Sequence, residues 1–309
     1  MLLDRNDMLH TKKQHSSLYY IGLIVLQGLI FGIGNPLIKF AYESISPFWC
    51  LTLRFFAATA IFALFCGKTA FPELKKTRVM VWLPTSLCMA LAYITCNVGL
   101  HLTTATGVGF LMSLAVVFTP PLARLVLGRK MHLSFLPVLI FAVAGLYLLC
   151  MNGGTFRFGV GELLALICSF GMAGSLVWGE ECLNTLSPSA VSLIQMAVTA
   201  AASLFCAVFL EPFPDLGAVE PKAWWIIIYL IVLCSCLCYI LQNIALTRLP
   251  SAVVSLTQCL EPIFTAIFAF LLLGERLSLL GFGGALLLMV CIIYGNYTEN
   301  KSDSKEDAP

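Results

Sequence analysis

The side chain in this 309-residue chain that most needs a physical account is Glu261. It lies mid-way along Ser251–Arg276, a stretch otherwise apolar enough to sit in lipid. A carboxyl at that depth costs ~2.5 kcal/mol or more and normally faces a cavity or another helix. As a proton carrier it would exchange protons with a substrate; as structure it would pair with a cation or with helix amides. Ser251, Ser255, Gln258, Pro262 and Thr265 recur at steps of four and three, which places them on one helical face beside it. Arg54 poses the complementary problem, because a guanidinium within an apolar run needs an acid, carbonyls or water. Gln195 holds the matching place when Ser46-Pro47 is set on Ser187-Pro188.

Tyr93 and Asn97 lie one helical turn apart, and Tyr239 and Asn243 repeat the spacing. An aromatic ring beside an amide can stack on a ligand and hydrogen-bond it; the same pair can equally hold two helices together. Gln27, Phe31, Asn35 and Lys39 share a face in the first apolar run. Gly32, Gly34 and Pro36 around Asn35 either loosen the backbone at mid-depth or let helices pack closely. Trp178 sits mid to inner depth in the sixth run, the repeat partner of the first. The candidate substrate-binding residues are therefore Asn35, Tyr93, Asn97, Trp178, Tyr239, Asn243 and Gln258. Arg54, Gln195 and Glu261 are candidate coupling or structural groups. No catalytic residue, metal or cofactor is expected. The thiols of Cys234, Cys236 and Cys238 spread over about 200° of a helix, and the other cysteines read as small buried hydrophobes.

Ten elements must position these groups. The chain is 60% hydrophobic and 11% charged, with a mean hydropathy of +0.93. Soluble chains carry about 25% charged residues, so this is an all-α integral membrane protein. Spans are expected at 19–41, 47–67, 79–101, 105–128, 133–151, 160–182, 188–210, 224–247, 251–273 and 278–296, each long enough for ~30 Å of hydrocarbon. The apolar run after residue 17 is too long for a signal-peptide core and is expected to remain as a helix. With both termini inside, 13 of the 18 Lys and Arg fall on the inner side and only Lys39, Arg157, Lys222 and Arg276 on the outer. That asymmetry predicts cytosolic termini in a cell (plasma) membrane. The net charge of +2 points to no polyanionic partner, nucleic acid included; a small-molecule substrate and the bilayer are the expected partners, and the oligomeric state stays open, a monomer being compatible.

Leu233–Leu279 laid on Leu87–Leu133 at a constant offset of 146 is identical at 16 of 47 positions, Tyr, Asn and Gly among them. This is an internal duplication. Five spans per copy is an odd number, so the second copy enters the membrane from the opposite side and the two are inverted about an in-plane axis. The expected organisation is a 1–17 cytosolic tail, repeats at 18–152 and 158–297, and a disordered cytosolic tail at 298–309.

Ser46-Pro47 followed by Arg54-Phe55, Glu261-Pro262 in the ninth span, and Gly274-Glu275-Arg276 after it resemble the drug/metabolite transporter superfamily, specifically its EamA type. The first copy departs from that pattern, with Val116 where Pro262 falls and Gly128-Arg129-Lys130 where Gly274-Glu275-Arg276 falls. The resemblance implies a ten-helix carrier of small metabolites, commonly amino acids or related compounds, often moved outward by alternating access, and not an enzyme. The competing reading is a membrane-embedded lipid-modifying enzyme. Against it, the four His are dispersed and no His-acid or paired acidic motif marks a membrane surface.

Overall fold

A computed structural model describes residues 17–102, 105–128, 136–151, 159–273 and 278–306. The expected N-terminal tail, apart from Ser17, residues 152–158 between the expected repeats and the Gly274-Glu275-Arg276 motif lie outside the described residues. The helices are α1 (Ser17–Tyr42), α2 (Pro47–Lys76), α3 (Val79–Leu102), α4 (Ala105–Ser113), α5 (Ala115–Leu127), α6 (Leu136–Met151), α7 (Val160–Cys182) and α8 (Pro188–Leu210). They continue as α9 (Pro221–Tyr229), a π-helical segment (Leu230–Leu237), α10 (Cys238–Leu246), α11 (Ser251–Gln258), α12 (Glu261–Leu273) and α13 (Leu279–Glu306).

Joined where they run on, these make ten apolar helical spans among the described residues, eight of them long and two, within α6 and α13, shorter. The architecture is that of two inverted five-helix repeats. Large apolar side chains such as Leu64, Phe65, Trp225 and Ile293 stand exposed on the outside of the bundle, as lipid-facing residues must. The final helix differs from expectation: α13 runs on to Glu306, through the stretch expected to be a disordered tail.

Two spans are broken. The fourth splits at Leu114, between α4 and α5, and the ninth at Cys259–Leu260, between α11 and α12. Leu114 and Leu260 are themselves 146 residues apart, so each copy interrupts its helix at the same place. Discontinuous helices facing each other at mid-membrane are the usual frame of a carrier's binding site. The stripe from Ser251 to Thr265 accordingly falls on two helices rather than one. In contrast, α1 is continuous through Gly32, Gly34 and Pro36. Its glycines serve packing: a Cβ on Gly32 would come within 2.4 Å of the Phe264 Cβ. That close approach of α1 to α12 is what brings Asn35 to Glu261.

Helix ends are fixed by carboxylates. Glu211, past the end of α8, accepts hydrogen bonds from the backbone N–H groups of Phe48 and Trp49 in the first turn of α2, both at 3.1 Å. Glu73, near the end of α2, accepts one from the N–H of Ser187 at the start of α8, at 2.9 Å. Glu180 does the same for Ser251 at the start of α11, at 2.8 Å. Each satisfies orphan N–H groups and sits at the positive end of a helix dipole. Gly128 ends α5 in the left-handed conformation, φ 67°, which glycine adopts without steric cost.

Candidate functional site

One central cavity lies between the repeats. Its lining comes from α1, α2, α3, α4, α7, α10 and the two sides of the break between α11 and α12. The volume open to the centres of water-sized spheres is about 110 Å³. A water needs only ~10–15 Å³ of occupied space, so the cavity has room for several such groups, as a small metabolite requires.

Along α1, Gln27, Phe31, Asn35, Ile38 and Tyr42 line the cavity at helical spacing, covering roughly 22 Å of its depth. Lys39, expected on this face, is exposed elsewhere. At one end three amides close on one another. The side-chain carbonyl of Gln242 accepts from the Nε2 groups of Gln27 and Gln258, both at 2.9 Å. At the other end Tyr42 donates its hydroxyl to Asn97 Oδ1, and Asn97 Nδ2 donates to the carbonyl of Tyr93 at 2.7 Å. Tyr42 and Leu100 also line a second hollow formed by residues 43–47 of the α1–α2 turn.

The charged groups sit between these ends. Asn35 Nδ2 donates to Glu261 Oε1 at 2.9 Å and to Thr265 Oγ1 at 3.1 Å. Arg54, 5% exposed, donates Nε to Ser235 Oγ at 2.7 Å, and its guanidinium lies 5.1 Å from the ring centre of Phe55 and 5.4 Å from that of Tyr93. Its Nη2 is buried without a hydrogen-bond partner. Among the described residues neither Arg54 nor Glu261 is matched by an ion pair, although both line the same cavity. Ser235 belongs to the π-helical segment, a local widening that recurs at functional sites.

The candidates from the sequence divide. Asn35, Tyr93, Asn97, Tyr239, Gln258, Arg54 and Glu261 meet at the cavity. Trp178, Asn243 and Gln195 are not among its lining residues. Asn243 is fully buried, donating to Ser192 Oγ at 2.8 Å and to Gln195 Oε1 at 3.0 Å, while Gln195 Nε2 donates to Thr85 Oγ1 at 2.8 Å. These amides tie α10, α8 and α3 together. Trp178 lies against Gly174 on its own helix. Gln27, Gln242 and Tyr42 also line the cavity, although of these the sequence signals only Gln27, through the face it shares with Asn35. The lining also includes Cys96, Cys168, Met89, Met112 and Met172, whose direction toward the cavity no spacing rule reveals. The thiols of Cys234 and Cys238 turn to carbonyls of α1, and that of Cys236 to one of α2. They do not converge.

Inverted repeats around a central polar cavity, framed by broken helices, define a membrane carrier architecture. The chain belongs to the EamA-like transporter family, whose pattern matches residues 18–151 and again 159–296. A transporter of Archaeoglobus fulgidus without a characterised substrate is 26% identical over 273 residues, covering 87% of this chain and 83% of that protein. The threonine/homoserine exporter RhtA of Escherichia coli is 29% identical over 171 residues, 54% of this chain and 56% of its own. A solved crystal structure shares the fold with a TM-score of 0.74 over 93% of this chain and 99% of its own, at 16% identity.

Proposed function

We propose that the protein is a secondary transporter carrying small metabolites that bear both a carboxylate and an amino group, amino acids or close relatives, outward across the cell membrane by alternating access. The observation that carries this reading is the pairing of an unpartnered buried Arg54 Nη2 with an unpaired Glu261 in one cavity of metabolite size. A substrate carboxylate would take the planar guanidinium fork, and its ammonium would lie at Glu261 and Asn35. A ligand carrying both charges would give each of these two groups, hydrogen-bonded but without an ion pair, a direct partner of opposite charge in a low-dielectric site.

The charge bias of the loops supports cytosolic termini, which puts the glutamine cluster on the inner side and the hollow at residues 43–47 on the outer. With no nucleotide-binding glycine loop in the sequence, transport draws on a gradient or on substrate exchange. The cavity is complete within one chain, so a monomer suffices.

The test is reconstitution of the purified full-length protein into liposomes, with counterflow of a radiolabelled amino-acid mixture and lipid turnover measured in parallel. Saturable counterflow without lipid turnover is expected. Lipid turnover without flux would instead establish the enzyme reading. Tags on either terminus should be reachable only after the cells are permeabilised.

A further inference from the structure

We infer that the preferred substrates are zwitterions with an uncharged apolar side chain of the size of methionine or leucine, their charged backbone held on one wall of the cavity and their side chain on a wall of sulfur. This rests on the reading of Arg54 and Glu261 as the sites of the two charges. It adds what the rest of the molecule must look like.

The cavity is built on a pseudo-twofold scaffold but is not lined symmetrically. At the 146-residue offset Gln242 corresponds to Cys96, and Gln258 to Met112. The sequences before the broken helices align instead at an offset of 141, which superposes Ser46-Pro47 on Ser187-Pro188; there Gln27 corresponds to Cys168 and Asn35 to Leu176. All eight residues line the cavity. In each of the four pairs the amide lies on α1, α10 or α11 and its apolar or sulfur-bearing mate on α3, α4 or α7. Glu261 follows the same rule, since its counterpart is Ala115. At these five points the polar group stands on one half-bundle and an apolar or sulfur-bearing residue on the other, although Tyr93, Asn97 and Ser175 keep α3 and α7 polar elsewhere on the lining. Packing keeps the halves distinct: α1 lies against α10 and α12, and α7 against α3 and α4.

The second wall is rich in sulfur. Met89, Cys96, Met112, Cys168 and Met172 all reach the cavity, with Cys96 Sγ 3.8 Å from Met112 Sδ. Thioethers are flexible and polarizable, and they mould to apolar groups of differing shape. A charged side chain placed among these sulfurs loses its hydration with no ionic partner to replace it, and a hydroxyl gains at most a weak bond to sulfur, as Ser175 makes to Met89 Sδ at 3.8 Å. An unbranched or singly branched apolar chain fits.

The experiment is counterflow in proteoliposomes with L-methionine, L-leucine, L-serine, L-aspartate and L-lysine, each at the same concentration. Methionine and leucine should exchange about tenfold or more faster than serine, the scale set by losing methylene contacts in an apolar pocket, and aspartate and lysine more slowly still. In Met112→Gln and Met172→Gln the methionine-to-serine ratio should fall toward one, while Met112→Leu should keep it. That ratio does not depend on how much of a variant folds. Serine or either charged amino acid exchanging as fast as methionine overturns the inference but leaves the carrier of zwitterions standing. Exchange of none of the five overturns both.

Discussion

Tyr93 and Tyr239, 146 residues apart in the chain, stack with ring centroids 6.2 Å apart and planes 25° from parallel. A position duplicated in the sequence has become a contact with its own copy, which places the local twofold axis between these rings. Phe55 packs its edge on both, at 4.9 and 5.9 Å. Arg54 is carried on the same aromatic cluster, so the symmetry element of the scaffold supports its most asymmetric charge. Such ring pairs contribute ~0.5–1.5 kcal/mol beyond burial, and a desolvated cation–π contact ~2 kcal/mol.

Tyr93→Leu should therefore lower exchange by about tenfold, because it removes both the stack and the ring beneath Arg54. Tyr93→Phe keeps the ring and should stay within about twofold of the parent. Initial counterflow rates, normalised to folded protein, distinguish them. Equal losses in the two variants would assign the effect to the hydroxyl instead.

Arg54→Lys retains the charge but not the fork or the bond from Nε to Ser235. A hydrogen bond to a charged group is worth ~1.5–3 kcal/mol, so the substrate concentration for half-maximal exchange should rise by about tenfold or more. An unchanged half-saturation value in well-folded Arg54→Lys protein would remove Arg54 from substrate binding.

The ten spans and the inverted duplication were legible because hydropathy and register are local properties of the sequence. The broken helices were half legible. Pro262 is the second residue of α12, where a missing N–H costs nothing, so it marks a new helix start; Val116 gives no such mark in the first copy. Which amide faces the cavity was not legible. Asn97 and Asn243 share the same local spacing, yet Asn97 meets Tyr42 in the cavity wall while Asn243 is buried against Ser192 and Gln195. That difference is set by neighbouring helices, not by the residues one turn away. The end of α2 shows the same limit, since it runs to Lys76 rather than stopping at the edge of its apolar run.

The reciprocal carboxylates of α2 and α8 make a stability prediction. Glu73→Gln and Glu211→Gln each weaken a charge-assisted bond to a helix N-terminus, worth roughly 1–2 kcal/mol. The two sites sit at opposite ends of a helix pair some 35 Å long on helical rise, and effects so far apart add. Thermal unfolding in detergent should show two similar losses and a double variant near their sum. A double variant no worse than either single one would mean that the two ends open together.

Glu261 is the candidate coupling group. Its carboxylate is held by Asn35, with no cation bonded to it among the described residues. Glu261→Gln thus breaks no ion pair, and the new amide oxygen can accept the same hydrogen bond from Asn35 Nδ2. The folded yield should accordingly stay near that of the parent. Breaking a buried charge pair would instead cost ~3–5 kcal/mol and show plainly as lost protein. What the substitution does remove is the ability to take up and release a proton beside the bound substrate. Substrate exchange should persist in Glu261→Gln, but at a raised half-saturation concentration because the substrate ammonium loses its anionic partner, while net flux loses its dependence on pH. Counterflow and net efflux, each measured across a pH series in the same proteoliposomes, check both halves of the expectation. Net flux that keeps the parental pH dependence in a well-folded variant would place the coupling group elsewhere, and a collapse of folded yield would make Glu261 a structural residue.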